Sequence, residues 1–255
     1  MPWNPDTYLQ FKDIRYKPFF DLAGLITAGG LQTAVDIGCG TGEQTAILSA
    51  TFEAASFLGI DSSAEMLGGS KQPEHERLRF TQATIEAFAE QESSWDLVFS
   101  NAALQWSDDH HKLFPQLISK VNPGGQFAVQ MPLQQDNVLN KILFDLVNEE
   151  PFADLLNGFK RISPVLPIDD YATMMFSNGL QNLDISVRVY PIIAGSETDL
   201  YNFIAGSALI PYMERLDAQG QDLLQTEFLK RIKDYFINFP AIYSFKRILM
   251  YGHKS

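Results

Sequence analysis

The residues Val35-Asp36-Ile37-Gly38-Cys39-Gly40-Thr41-Gly42 carry the sharpest chemical signal in the chain. A buried apolar strand runs into three glycines at alternate positions, and the pattern predicts a helix from about Glu43. Glycines there let backbone approach a ligand and permit positive φ, and the helix start offers unpaired N–H groups. The same pattern also makes a bare tight turn, so spacing alone leaves both readings open. Asp61 weighs toward a ligand. It ends the next apolar run, Ser56-Phe57-Leu58-Gly59-Ile60, and follows Gly42 by about 20 residues, the offset at which an acid accepts hydrogen bonds from ribose hydroxyls. Dinucleotide binders use G-x-G-x-x-G, whose third glycine brings the helix close beneath a pyrophosphate. Here the spacing is G-x-G-x-G, and Asp36 stands two residues before the first glycine. A carboxylate aimed at that loop opposes a pyrophosphate and suits a cationic ligand, which disfavours NAD.

Several other residues have chemistry that spacing leaves open. Cys39 is the only cysteine. It reads as a small packed residue of the loop, because a reactive thiol needs an electropositive setting. His110 and His111 are adjacent, so they point to different sides of a helix and make a poor metal pair; no metal site is expected. His110 is a candidate general base, with a surface cap position as the alternative. Trp106 either lines a substrate pocket or packs under the following helix. Lys246 and Arg247 either clamp a carboxylate or form a solvated strand end. Tyr201, Phe203, Tyr212 and Phe236 read as helix core before substrate contacts.

The elements that must position these residues alternate between strand and helix from 33 to 131. Strands are expected at Ala34–Ile37, Ser56–Ile60, Leu78–Phe80, Asp96–Ser100 and Gln126–Gln130, the last introduced by the turn Asn122-Pro123-Gly124-Gly125. Leu113, Phe114, Leu117, Ile118 and Val121 recur at helical spacing, with Ser107 and Asp108 as expected caps. That alternation predicts a doubly wound, mostly parallel sheet with helices on both faces. The second half predicts a strand over Asp184–Ile193, helices over 198–239 with Leu224, Phe228, Ile232, Tyr235 and Phe236 on one face, and a last strand at Arg247–Tyr251. A helical insert there would be a lid over the strands' carboxyl ends.

Composition bounds the class. At 255 residues the chain fits one large domain or two small ones, and 45% hydrophobic with 20% charged residues excludes disorder. Its formal net charge of −12 sets it against a nucleic-acid backbone. Phe203–Met213, the longest nearly apolar run, is broken by Gly206, Ser207 and Pro211, so no membrane span is expected. Met1-Pro2-Trp3-Asn4 shows no signal-peptide pattern, and a single cysteine suits a reducing cytoplasm.

Asp36–Gly42 followed by Gly59-Ile60-Asp61 resembles the motif I and ribose acid of class I S-adenosylmethionine-dependent methyltransferases. A closer resemblance, to the bacterial trans-aconitate methyltransferase family, extends along nearly the whole chain. It rests on Trp3-Asn4-Pro5 with Tyr8-Leu9 and Arg15, on Asp61-Ser62-Ser63 with Met66, on Asn101-Ala102-Ala103-Leu104-Gln105-Trp106, on Asp109-His110 with Leu113-Phe114, on Val129-Gln130-Met131-Pro132, and on Phe245-Lys246-Arg247. The resemblance implies a Rossmann-like seven-stranded sheet with the lid before the last strand. In cofactor binding, it implies that Asp36 reaches the methionine ammonium and that Gly38, Cys39, Gly40, Thr41 and Gly42 wrap its backbone. Asp61 would hold the ribose, Ser62 and Met66 would flank the adenine, and Asn101 and Ala102 would lie beside the sulfonium. Two positions depart from the family. Thr84 stands where an Asp is usual, which weakens the acceptor for the adenine amino group. Leu209-Ile210-Pro211-Tyr212 puts an isoleucine where the lid carries an arginine, which puts trans-aconitate itself in doubt as the substrate. Asn101-Ala102-Ala103-Leu104 also lacks the Pro-Pro-aromatic sequence of amino-methylating DNA enzymes.

Together these features predict a single cytoplasmic, monomeric methyltransferase domain over 1–255, with a cofactor core at 33–131 and a lid at 198–239. The expected reaction moves a methyl group from S-adenosylmethionine to a carboxylate oxygen of a small-molecule acid, held by Arg15, Lys246 or Arg247 with Tyr8 and Trp106 shaping the pocket. A carboxylate is already ionised at neutral pH and needs no strong base; Arg15 and His110 are the only catalytic candidates. The alternatives are a malonyl-acyl-carrier or hydroxyl acceptor, or a cofactor-binding module without catalysis.

Overall fold

The computed structural model describes residues 12–69 and 75–255, with side chains from Tyr16 onward. Tyr8, the Trp3-Asn4-Pro5 segment and the side chain of Arg15 lie outside the described residues. By its internal contacts the chain divides into two compact units. A sheet unit gathers Lys17–Pro132, Pro164–Arg188 and Arg247–Ser255; a helical unit includes Leu133–Ser163 and Val189–Lys246.

Helix α1 (Lys12–Ala23) leads into β1 (Thr33–Ile37), α2 (Glu43–Thr51), β2 (Ser56–Asp61), α3 (Ala64–Gly68) and β3 (Leu78–Gln82). Then come α4 (Ile85–Glu90), β4 (Trp95–Asn101), α5 (His110–Ser119) and β5 (Val121–Pro132). Helices α6 (Val138–Val147), α7 (Phe152–Leu155) and α8 (Ile168–Ser177) precede β6 (Leu180–Ala194). Helices α9 (Glu197–Ala205), α10 (Ile210–Met213) and α11 (Ala218–Tyr235) separate β6 from β7 (Ala241–Lys254). The seven strands lie in the order β3-β2-β1-β4-β5-β7-β6. The pairs β1–β2, β2–β3, β1–β4 and β4–β5 are parallel, and β7 is antiparallel to β5. The chain thus winds outward from β1 in both directions, which leaves a switch point at the carboxyl ends of β1 and β4, where such sheets bind ligands.

The central strands read as apolar runs because both of their faces are covered. Val35, Ile37, Leu97, Val98, Phe99, Phe127 and Val129 have no exposed surface. Helix α5 turns Leu113, Phe114, Leu117 and Ile118 inward, as their spacing predicts. Its cap is Asp109, not Ser107 or Asp108. Asp109 takes a left-handed conformation (φ 51) and its side chain accepts from the Lys112 amide.

The helical unit has its own core, in which Leu139, Leu143, Leu200, Leu224, Phe228 and Ile232 are at most 2% exposed. Tyr201, Phe203 and Tyr212 belong to that core and Phe236 packs against it. Tyr235, expected on the same face of α11, is 59% exposed, because the face loses its cover in the last turn. The last two strands in sequence, β6 and β7, are longer than expected. The lead-in of β7 alternates buried Ala241, Tyr243 and Phe245 with exposed Ile242 and Ser244, a half-buried period-2 pattern that a search for continuous apolar runs misses.

Candidate active site

The glycine loop hangs from the end of β2. The amides of Gly38 and Cys39 both donate to the Ile60 carbonyl, at 2.8 and 2.9 Å. Two of its glycines are required by geometry. Gly38 has φ 74, and a Cβ there would stand 2.1 Å from the Ala103 Cβ. Gly42 caps α2 in the left-handed conformation, and a Cβ on it would stand 2.5 Å from the Phe80 ring. Both contacts are with the protein itself, so these glycines let the loop pack tightly against Ala103 and Phe80.

Two carboxylates flank this loop in different states. Asp36 is 3% exposed, and the Thr45 hydroxyl, in the first turns of α2, donates to its carboxylate at 2.5 Å. Burial pushes the Asp36 carboxyl up to about 7; the Thr45 hydrogen bond opposes that rise and the nearby Asp61 charge adds to it. A buried acid with that affinity for a proton is half-neutral at pH 7, and a cationic ligand would hold it ionised. Asp61 is tied instead by backbone. Its Oδ2 accepts from the Gly40 amide at 2.8 Å and its Oδ1 from the Ser63 amide at 2.9 Å. These bonds fix the rotamer in advance, and each oxygen keeps a second lone pair for a ribose hydroxyl.

Around Asp61 the other expected residues are assembled. Ser63 caps α3 through the Met66 amide, and Met66 is 46% exposed. The Met66 methyl lies 3.4 Å from where a Cβ on Gly40 would stand, which places Met66 beside the glycine loop. Ser62 is exposed, and its carbonyl accepts from Gln82 Nε2 at 3.0 Å. Thr84 caps α4, its hydroxyl accepting from the Ala87 amide, so the oxygen that would face an adenine amino group is already engaged. Thr41 is exposed on the loop. Burial pushes the Cys39 thiol far above its ordinary value, with the charges of Asp36 and Asp61 adding to the rise. That is the reverse of an activated nucleophile.

At the end of β4, Asn101 donates from Nδ2 to Gln44 Oε1 at 2.8 Å and accepts from Gln130 Nε2 at 2.5 Å. Ala102 follows with φ 56. A non-glycine residue there costs about 1–3 kcal/mol and persists only where its surroundings impose it. Here they do: its amide donates to the Gln130 carbonyl at 2.9 Å and its carbonyl accepts from Gln105 Nε2 at 2.6 Å. The strained residue sits at the switch point, where the sheet order would place a ligand.

The remaining candidates separate. Trp106 is 42% exposed, in a single 3-10 turn over Leu104–Trp106. Lys246 belongs to the helical unit, where its ammonium donates to the Asp136 carbonyl at 2.9 Å. Arg247 belongs to the sheet unit and donates from Nη1 to Gln130 Oε1 at 2.7 Å. His110, expected as a candidate base or surface cap, is neither exposed nor free. It is 1% exposed, its Nδ1 meets the Tyr171 hydroxyl at 2.5 Å, and its Nε2 meets the Leu104 carbonyl at 2.9 Å. A carbonyl only accepts, so Nε2 carries the proton and Nδ1 accepts from Tyr171. Burial lowers the pKa of His110, which keeps it neutral in this role. Both nitrogens are therefore used: Nδ1 ties α5 to α8 and Nε2 ties it to the 3-10 turn before it. Ile210 opens α10 and is 42% exposed.

Thr45, Gln44 and Gln130 were not singled out from sequence. Thr45 and Gln44 carry no motif of their own. Gln130 carries one: it is a polar residue inside the otherwise apolar run Phe127-Ala128-Val129-Gln130-Met131, and a buried amide there needs partners.

The sheet order, the glycine loop and the paired acids define a class I S-adenosylmethionine-dependent methyltransferase. Residues 35–129 match the family model described as a methyltransferase domain. The chain is 38% identical over 255 residues to a trans-aconitate 2-methyltransferase of Deinococcus radiodurans, covering 98% of this chain and 97% of that one. It is 29% identical to one from Variovorax paradoxus, over 98% and 95% of the two chains. Among solved structures, the YcgJ protein of Bacillus subtilis shares the fold at a TM-score of 0.60 and 19% identity, covering 94% of this chain and 98% of that one. The chain belongs to the methyltransferase family and, within it, to the relatives of the bacterial trans-aconitate 2-methyltransferases.

Proposed function

We propose that this enzyme methylates a carboxylate oxygen of a small-molecule acid, acting in the cytoplasm. The observation that supports this most directly is the 38% identity, over nearly the full length of both chains, to a trans-aconitate 2-methyltransferase. The chemistry of the site agrees. Bound S-adenosylmethionine supplies an electrophilic methyl group on a cationic sulfur. The chain's residues fit it: Asp36, a buried carboxylate that favours a cation, would hold its ammonium, Asp61 its ribose hydroxyls, and Met66 its base. Gly38 and Gly42 bracket a loop whose backbone would run along the methionine part of the cofactor.

A carboxylate acceptor needs orientation and a neutralising charge but no proton removed, so catalysis rests on positioning. The state of His110 favours this reading over a hydroxyl acceptor, because both of its ring nitrogens are committed within the sheet unit. Single-turnover transfer of a labelled methyl group to a panel of mono-, di- and tricarboxylic acids, trans-aconitate included, tests it. The expected product is a base-labile ester. Transfer only to hydroxyl compounds or to malonyl-carrier substrates, or no transfer at all, overturns the proposal.

A further inference from the structure

Four side chains of the sheet unit form an unbroken hydrogen-bonded row. Arg247 Nη1 donates to Gln130 Oε1 at 2.7 Å, Gln130 Nε2 to Asn101 Oδ1 at 2.5 Å, and Asn101 Nδ2 to Gln44 Oε1 at 2.8 Å. Strand register accounts for the row. Asn101 pairs with Gln130 across β4 and β5, and Gln130 pairs with Leu249, two residues from Arg247, so the three side chains share one face. Gln44 stands in the first turn of α2, directly after the glycine loop. Gln130, the middle link, has no exposed surface.

An amide turned end for end keeps its shape, so its partners decide which end faces which way. A guanidinium only donates. Gln130 must therefore offer its oxygen to Arg247, which leaves its N–H for Asn101. Asn101 must then offer its oxygen to Gln130 and turn its N–H₂ toward Gln44. One permanently charged residue on β7 thus sets the direction of the amide beside the cofactor loop, and a charge at the head of an aligned chain strengthens each link after it.

We infer that this row selects an anionic acceptor: Arg247 is its cation, and Gln130 is a positioning residue that makes Asn101 present N–H at the end of β4. The inference rests on the carboxylate reading above and names the residues that impose it. A carboxylate offers only lone pairs and is complementary to the N–H groups of Arg247 and Asn101. A hydroxyl or amine nucleophile brings a proton that needs an acceptor, and the row turns the Asn101 oxygen inward.

Gln130→Glu tests the row with almost no change in volume. A carboxylate accepts from both neighbours, so it neutralises Arg247 and makes Asn101 reverse its amide. The kcat/KM for the methylated acid should fall about 10–100-fold, mostly through KM for the acid, the loss expected for one charge-assisted hydrogen bond. The Kd for S-adenosylhomocysteine by calorimetry should stay within about threefold, since the acids at the loop are untouched; a merely structural role would lower cofactor affinity and melting temperature along with activity. Arg247→Gln is the second arm, because an amide can present either end and the row loses its fixed direction. Arg247→Lys, which still only donates, should recover part of the activity that Arg247→Gln loses. If the wild type methylates acids while Gln130→Glu and Arg247→Gln leave KM for the acid unchanged, or lose cofactor affinity to the same degree, the row is not a selector. A wild type that methylates no acid overturns this inference and the carboxylate reading together.

Discussion

Replacing Asp36 by Asn should make the ligand-free protein more stable at pH 8 while crippling its affinity for the cofactor. The Asp36 carboxyl is buried and its pKa rises from 3.8 to about 7. A displacement of that size corresponds to about 4 kcal/mol between its protonated and ionised forms. The folded protein holds this proton more tightly than the unfolded chain does. The stabilisation from protonation is therefore complete below about pH 4 and is lost as pH rises through about 7. Asn, which is never charged, escapes the loss, so at pH 8 the variant should gain about 2–4 kcal/mol, or on the order of 5–10 °C in Tm. At pH 5 the gap should narrow to about 1–2 kcal/mol, and it should close only below about pH 4, where the unfolded carboxyl is protonated too. Cofactor affinity runs the other way: the ammonium needs the ionised form, so Kd for S-adenosylhomocysteine should rise about tenfold per pH unit below 7 in the wild type. In Asp36→Asn it should be about 10–100-fold weaker at pH 8 and lack that slope, because a hydrogen bond to a charged acceptor is gone. Thermal melts and calorimetry between pH 5 and 8.5 measure both. A variant less stable than wild type at pH 8, or a wild-type Kd flat across that range, would refute the reasoning.

Gly38→Ala should cost at least about 2 kcal/mol in stability and abolish cofactor binding, because the new methyl would lie 2.1 Å from the Ala103 Cβ at φ 74; a melt and a calorimetric titration check this. Tyr171→Phe should destabilise the fold by about 1–3 kcal/mol, leaving His110 Nδ1 buried without a donor, while kcat falls only a few-fold; a hundredfold fall in a folded variant would restore His110 as a base. Ile210→Arg should raise kcat/KM for trans-aconitate about tenfold or more, the worth of one charge-assisted pair, and an unchanged or lower value would remove Ile210 from the acceptor pocket.

The sheet was legible, and the candidate cofactor residues could be singled out, because their signals are local. Asp36, Gly38 and Gly42 lie within one turn, and Asp61 follows at the distance set by one helix and one strand. Asp109 was missed as the cap of α5 because a left-handed cap residue leaves no trace in apolar periodicity. The start of β7 was missed because alternation carries a weaker signal than a continuous run. His110 shows a deeper limit. Its partners, Tyr171 and the Leu104 carbonyl, are supplied by a helix about 60 residues on and by a single 3-10 turn, so its chemistry is decided by contacts that no spacing encodes.

The two acids of the loop show how far a residue type underdetermines its role. Asp36 and Asp61 are both carboxylates at strand ends, and both would bond one ligand, yet their environments divide the work. Asp61 is met by two backbone amides before any ligand arrives, so its contribution is geometry fixed in advance. Asp36 has one hydroxyl donor and almost no solvent, so its contribution is a charge that the bare protein holds at a cost and a cationic ligand relieves. Affinity drawn from relieving that burial acts on charge, whereas affinity drawn from Asp61 acts on hydroxyl placement. A nucleoside with a ribose but no ammonium, such as methylthioadenosine, should therefore keep the Asp61 contribution and lose the pH dependence, binding with nearly the same Kd at pH 5.5 and 8. Calorimetry at those two values decides it, and a Kd that still weakens steeply at low pH would mean the proton on Asp36 opposes ribose binding as well.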